Sequence, residues 1–357
     1  MFCNIYKNKR ILVTGHTGFK GSWLSLWLDS LGAQVTGVGL APKIAPSHWD
    51  LLSLKVKSLE LDIRDAAGIK QTISNENPEI VFHLAAQPLV RRSYRDPLDT
   101  WSTNVMGTAN ILDACREHSS VRAIVVITTD KCYENVEWVW GYRETDRLGG
   151  HDPYSASKAG AELVVSSFRA AFFQRQTSTL IATARAGNVI GGGDFSEDRL
   201  IPDLVRAIQA AESVEIRSPN ATRPWQHVLD CLSGYLVLGK KLLERDTTSA
   251  SAWNFGPNER DNREVQEVLK KFQGKCPSLD WFTSQEDQLH EANLLHLDSS
   301  KARKGFSWHP VWSFEEAVNA TAEWYKAWLN DGNVISSQQL NDYIEVAKEK
   351  KITWTDL

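Results

Sequence analysis

Two clusters of ionisable residues in this 357-residue chain have the spacing that chemistry at a hydroxyl-bearing carbon needs. In "DPYSASKAGAELVVSSFRAAF" Tyr154 and Lys158 stand four apart, so on a helix they share one face and reach one cleft. A phenol titrates near ~10, and a cation at about 4 Å contributes roughly 4 kcal/mol at an effective dielectric of 20, or about three pK units. Lys158, with a bound oxidant, is expected to bring Tyr154 toward neutral pH as a base for an alcohol. In "VITTDKCYE" Thr129, Asp130 and Lys131 follow one another at the end of an apolar run. Hydroxide leaves carbon poorly unless protonated, and Asp130 offers the carboxylic acid for that step. Lys131 can be a base at the adjacent carbon, if burial or nearby cations lower it from about 10.4, or a cation that polarises a new ketone. The sequence leaves both open.

The surrounding pattern supplies the scaffold. "RILVTG", "QVTGVGL", "KSLELD", "EIVFHLAA", "RAIVVITT" and "LIATARAG" read as strands separated by helical stretches such as "GSWLSLWLDSLG" and "NVMGTANILDACREH". That alternation predicts an α/β fold, a Rossmann-like doubly wound parallel sheet. Asp130 then lies at the C-terminal end of the fifth strand, where open sheets form their ligand crevice. Asp152 is the expected N-cap of the Tyr154 helix and Pro153 its first residue. In "TGHTGFKG" Gly15, Gly18 and Gly21 follow the first strand and open a helix, the setting in which backbone N–H groups meet a pyrophosphate.

The TGxxGxxG spacing, the YxxxK pair and a Thr followed by Asp together resemble the extended short-chain dehydrogenase/reductases, and among them the sugar-nucleotide 4,6-dehydratases. Relatives acting on dTDP- and GDP-sugars carry Glu after that Asp. Lys131, with "TGHTGFKGSWL", is similar instead to the branch acting on CDP-glucose, and the likeness spans nearly the whole chain. The resemblance implies NAD as cofactor, CDP-glucose as substrate, a hydro-lyase activity and deoxysugar biosynthesis of the O-antigen type. It implies Thr129, Asp130, Lys131, Tyr154 and Lys158 as catalytic residues. Cofactor contacts are implied for Gly15, His16, Thr17, Gly18, Phe19, Lys20 and Gly21, for Asp62 and Ile63, for Leu84, Ala85, Ala86 and Gln87, and for Asn104, Thr128, Tyr154 and Lys158. Substrate contacts are implied for Gln87, Asn188, Arg199, Leu200, Ile201, Arg223, His227, Asn254 and His290. NAD-binding relatives usually end the second strand on an acidic residue, whereas "VTGVGLAP" ends on Leu40, Ala41 and Pro42, with no arginine for a 2′-phosphate. Relatives also pair through the helices carrying Asn104 and Tyr154, so a homodimer or homotetramer is expected. The alternatives on the same fold are a C4 epimerase, against which Asp130 argues, another sugar-nucleotide dehydratase, and a non-catalytic dinucleotide sensor, against which Tyr154 and Lys158 argue.

Composition narrows the remaining classes. A net charge of -4 gives no basic excess for nucleic acid, and no run of about 18 apolar residues predicts a membrane span. Five scattered cysteines without a CxxC pair suggest reduced thiols in the cytoplasm. His83, His118, His151, His227 and His290 lack metal-ligand spacing, so no metal is expected. The expected division is a dinucleotide-binding domain over 1–186, with a segment near 223–247 packing back onto it. A smaller, partly discontinuous α/β substrate-binding domain is expected over 187–222 and 248–330, followed by a tail over 331–357, loosely docked.

Overall fold

A computed structural model describes residues 1–173, 179–216, 218–283 and 295–356. Seven strands build one sheet: β1 (Arg10–Thr14), β2 (Gln34–Gly39), β3 (Lys57–Glu60), β4 (Ile80–His83), β5 (Ala123–Ile127), β6 (Leu180–Ala186) and β7 (Ala252–Phe255). Their order is β7-β6-β5-β4-β1-β2-β3, and every neighbouring pair is parallel. The chain reverses direction of winding between β1 and β4, so the crevice opens past their C-terminal ends.

The β-branched runs form these strands because both of their faces are covered. Ile11, Val13, Ile80, Phe82, Val125 and Ile127 point to one side, where they meet Trp23 and Trp27 of α1 (Phe19–Ser30). Leu12, Val81, Ile124 and Val126 point to the other, against α2 (Ala66–Glu76), α3 (Gly107–Arg116) and α4 (Pro153–Phe168). Each such side chain, fully buried, contributes roughly 1.5–3 kcal/mol. Helix α5 (Val228–Leu243) also joins the first side.

Two boundaries differ from expectation. Ala252–Phe255 falls in the stretch assigned to the substrate half, yet it pairs in register with Thr183–Ala186 as the edge strand of the main sheet. Its apolar side chains Trp253 and Phe255 are buried there, which the turn-rich sequence around "NFGPNE" obscures. The tail is also firmly packed. Leu340, Tyr343, Ile344 and Ala347 of the helix Ser336–Glu349 recur at helical spacing and enter the first core. Trp354 stacks on Phe2 at 5.2 Å and on Tyr343 at 5.9 Å between ring centroids. The remaining pairings are short: 226–227 with 189–190, 222–224 with 262–264, and 213–216 with 280–283.

Candidate active site

The turn after β1 is shaped by what its glycines lack. Gly15 has φ of 74°, and a Cβ there would lie 2.7 Å from the Ala85 nitrogen. A Cβ on Gly21 would come within 2.0 Å of the Gly15 carbonyl oxygen. Backbone cannot yield at such distances, so the turn brings Gly15 against Ala85 just past β4, while Thr17 Oγ1 donates to the Leu40 carbonyl at 2.9 Å, Phe19 opens α1 against Gly191 and Lys20 faces the cavity described below. Gly18 caps α1 without a side-chain hydrogen bond, which leaves the first-turn amides to an anion. Leu84, Ala85, Ala86 and Gln87 form the facing wall. Asn104 fixes that wall: its Oδ1 accepts from the Gln87 amide at 2.8 Å, and its Nδ2 donates to Ser157 Oγ on α4 at 2.8 Å. These residues fit a dinucleotide diphosphate.

At the far end, Ile63 is buried against Gly107 and Asp62 is held by Arg64 at 2.5 Å, which keeps its carboxyl below the usual range. Arg64 also reaches Asp99 at 2.8 Å. Leu40, Ala41 and Pro42, which follow Gly39, bring no carboxylate. The His16 ring instead fills the space that a Cβ on Gly37 would need, 2.2 Å away, and its Nε2 lies 2.7 Å from Ser58 Oγ.

Opposite, Asp152 accepts from the Ser155 amide at 2.9 Å and starts α4 with Pro153 at its first position, as the sequence predicts. Tyr154 and Lys158 are both buried one turn later. Lys158 Nζ donates to the Ile127 carbonyl at 3.2 Å, at the end of β5. Burial and the neighbouring Lys20 ammonium lower Lys158 to about 8. Burial pushes Tyr154 up to about 12, against the pull of Thr129 and Arg199. The loss of water around the phenol exceeds what nearby cations return to it. Asp130 is 1% exposed and burial raises its pKa, despite Lys131, Thr129, Lys20 and Arg223. Its Oδ1 accepts from Thr129 Oγ1 at 2.9 Å, while Oδ2 has no partner among the described residues.

Tyr154 and Asp130 line one cavity of about 390 Å³ with Lys20, Thr128, Thr129 and Lys131. Asn188, Arg199, Leu200, Ile201 and Arg223 form its outer part, and Arg199 pairs with Asp194 at 3.2 Å. Three residues expected to bind substrate lie elsewhere. Gln87 is closed on its own loop through Leu89 and Thr100. His227 is fully buried, caps α5 by accepting from the Leu229 amide at 3.3 Å, and is lowered by burial to about 3. Asn254 is fully buried on β7, accepting from Tyr133 Oη at 2.7 Å and donating to the Tyr142 carbonyl at 2.8 Å. Each suits binding by residue type, but buried backbone and hydroxyl groups claim their hydrogen bonds first. His290 lies outside the described residues. Glu162 and Arg185, which the motifs above do not include, connect behind the cavity to Tyr133, which lines it. Glu162 continues the i, i+4 stripe of Tyr154 and Lys158, and Arg185 is the one charge in "LIATARA"; both signals were present. Among the described residues no group of three or more His, Cys, Asp or Glu is arranged to hold a metal.

A parallel sheet carrying a glycine turn beside β4 and a buried Tyr–Lys pair beside β5 is the architecture of the extended short-chain dehydrogenase/reductases. The family model described as GDP-mannose 4,6 dehydratase matches residues 12–321, and the chain belongs to this family. It is 46% identical over 350 residues to a CDP-glucose 4,6-dehydratase of Salmonella typhimurium, covering 96% of this chain and 98% of that protein. A dTDP-glucose 4,6-dehydratase of Xanthomonas campestris is 27% identical, covering 88% of this chain and 92% of its own length. Among solved structures, MoeE5 in complex with UDP-glucose and NAD is 25% identical with a TM-score of 0.75, covering 90% of this chain and 99% of its own. An epimerase of Methanothermobacter thermautotrophicus shares the fold at TM-score 0.82 and 22% identity, over 92% of this chain and 95% of that one.

Proposed function

We propose that this protein is an NAD-dependent CDP-glucose 4,6-dehydratase, producing CDP-4-keto-6-deoxyglucose. The observation that carries the proposal is a buried carboxyl, Asp130, on the wall that also bears Tyr154, in a chain 46% identical to an enzyme of that name. NAD is assigned to the glycine turn, with Gly15, Gly18 and Gly21 admitting its diphosphate and Tyr154 and Lys158 beside its reactive end. Bound there, it supplies the chemistry of removing a hydride from C4 and returning it to C6. Tyr154 takes the proton of O4, and Thr129 and Lys158 stabilise the phenolate. The new C4 ketone acidifies the C5–H bond. Asp130, kept protonated by burial, gives its proton to O6, and the C6–O bond breaks to release water. Lys131 either takes the C5 proton as base and returns it to C5 when C6 is reduced, or acts as a cation at O4 while another group takes and returns that proton. Arg199 and Arg223 suit the diphosphate of the substrate, since a guanidinium donates two parallel hydrogen bonds to phosphate oxygens.

The cytidine assignment rests on the Salmonella relative and on Lys131. It is tested by offering the purified protein CDP-, dTDP-, UDP- and GDP-glucose with NAD. A kcat/KM at least tenfold higher for CDP-glucose is expected; equal or greater turnover of another nucleotide removes the assignment. Two copies are proposed to pair through the exposed apolar strip of Leu98, Trp101, Met106 and Leu163, which flanks Asn104 and runs onto α4. The enzyme is assigned to the cytoplasm and to deoxysugar synthesis of the O-antigen type.

A further inference from the structure

Behind the cavity lies a fully buried charge pair that contacts no cavity space. Glu162 and Arg185 are each 3% exposed at the side chain, and their Nη2–Oε2 distance is 2.7 Å. Glu162 sits on α4 four residues after Lys158 and eight after Tyr154, on the same stripe. Its carboxylate accepts from Thr128 Oγ1 at 2.5 Å, from Thr183 Oγ1 at 2.9 Å and from Arg185 Nε at 2.9 Å. Arg185, on β6, donates its Nη1 to Tyr133 Oη at 2.7 Å, and Tyr133 in turn donates to Asn254. Burial alone raises Glu162, but Arg185 and the hydroxyls hold it below its ordinary value.

The two ends of this network bracket the acid. Thr128 precedes Thr129 and Asp130; Tyr133 follows the three-residue turn Asp130–Cys132. Backbone bonds hold the turn itself, with the Asp130 carbonyl accepting from the Tyr133 amide at 3.3 Å and the Cys132 carbonyl from the Gly149 amide at 2.9 Å, but the Asp130 side chain bonds to Thr129 Oγ1 and leaves Oδ2 without a partner among the described residues. Tyr154 and Lys158, by contrast, are set by a capped sixteen-residue helix. Lys158 reaches Ile127 and Glu162 reaches Thr128, so successive turns of α4 are pinned to successive residues at the end of β5. A buried ion pair is often no more stabilising than apolar side chains of the same volume, so its presence points to placement.

We propose that Glu162 and Arg185, acting through Thr128 and Tyr133, are positioning residues that fix Asp130 relative to Tyr154, and that they govern the loss of water more than the oxidation of the alcohol. The inference rests on the reaction proposed above. Tyr133→Phe is the mildest test, because it removes the hydroxyl's bonds to Arg185 and Asn254 while keeping the ring that lines the cavity 4.9 Å from the guanidinium, and the amide exchange, read without substrate, separates positioning from contact with substrate. Expected are a kcat roughly tenfold lower with KM for CDP-glucose within about twofold, a larger isotope effect with substrate deuterated at C5 and a smaller one with substrate deuterated at C4. In the ligand-free variant, amide exchange over residues 128–133 should quicken while that of α4 stays unchanged. Arg185→Lys should reproduce this pattern, and the double variant should be no worse than the more severe single one. Unaltered kcat and isotope effects overturn the proposal, as does a fall in activity with unchanged isotope effects and exchange that quickens equally in α4. If Arg185→Lys fails to fold, Tyr133→Phe decides alone. Conversion of CDP-glucose by the unaltered protein tests the underlying reaction separately, and the exchange measurement needs no substrate.

Discussion

In the proposed reaction Asp130 separates removal of water from mere turnover of a carbinol, because an epimerase has no need to protonate O6. Asp130→Asn keeps the shape and the Thr129 hydrogen bond but cannot deliver a proton. Product formation should fall by about 10²–10⁴ while oxidation at C4 persists, read as a C4 deuterium effect in single-turnover mixtures. Full activity in that variant would remove Asp130 from the mechanism. Lys158 gives a second prediction. Its folded-state value of about 8 lies below the ordinary lysine range, so its charge is lost as pH rises through 8. In the proposed mechanism the cation steadies the Tyr154 phenolate, so kcat/KM should bend downward near pH 8. Lys158→Arg keeps its charge and should move that limb to higher pH; an unmoved limb assigns it to another group.

The turn after β1 and the capped start of α4 decide whether the reacting groups meet at all. A Cβ on Gly21 would meet the backbone of Gly15 and His16, so Gly21→Ala must displace the start of α1. Calorimetry should find NAD affinity reduced at least ~100-fold in that variant, with CDP-glucose still bound through the outer cavity. Such elements were legible because they are written locally: an apolar run for each strand, Asp152 and Pro153 for a helix start, glycines where backbones touch. Side-chain partners are not written locally in this way. His227, Gln87 and Asn254 carry groups suited to a ligand, but each is engaged by a helix amide, its own loop or a buried tyrosine. Only the tertiary arrangement reveals those partners. For Tyr154, likewise, sequence spacing gives the nearby charge but not the burial that opposes it. Leu340, Tyr343, Ile344 and Ala347 did carry a helical stripe, hidden within a tail that is polar on average.

Across the whole molecule, the C-terminal helix is fastened to the sheet through α5. Buried Asp230 accepts from the Val311 amide at 2.6 Å and from Tyr343 Oη at 2.8 Å, and burial pushes its carboxyl up to about 7. A raised carboxyl favours the fold while protonated; that contribution is whole below about pH 4 and is lost as pH rises through about 7. Asp230→Asn cannot ionise, so its thermal midpoint should gain on the parent between about pH 4 and pH 8, by about 2–4 °C per kcal/mol. A difference independent of pH would refute the titration. The strip of Leu98, Trp101, Met106 and Leu163 makes Leu98→Lys with Leu163→Glu the test of pairing: sedimentation should show half the parental mass. The most direct measurement follows hydrogen within the substrate. Equal amounts of unlabelled CDP-glucose and CDP-glucose deuterated at C4 are converted together with NAD. The account predicts a product one water lighter, with deuterium at C6 and no exchange of label between molecules. Deuterium lost to solvent, retained at C4, or present in a galacto product would contradict it.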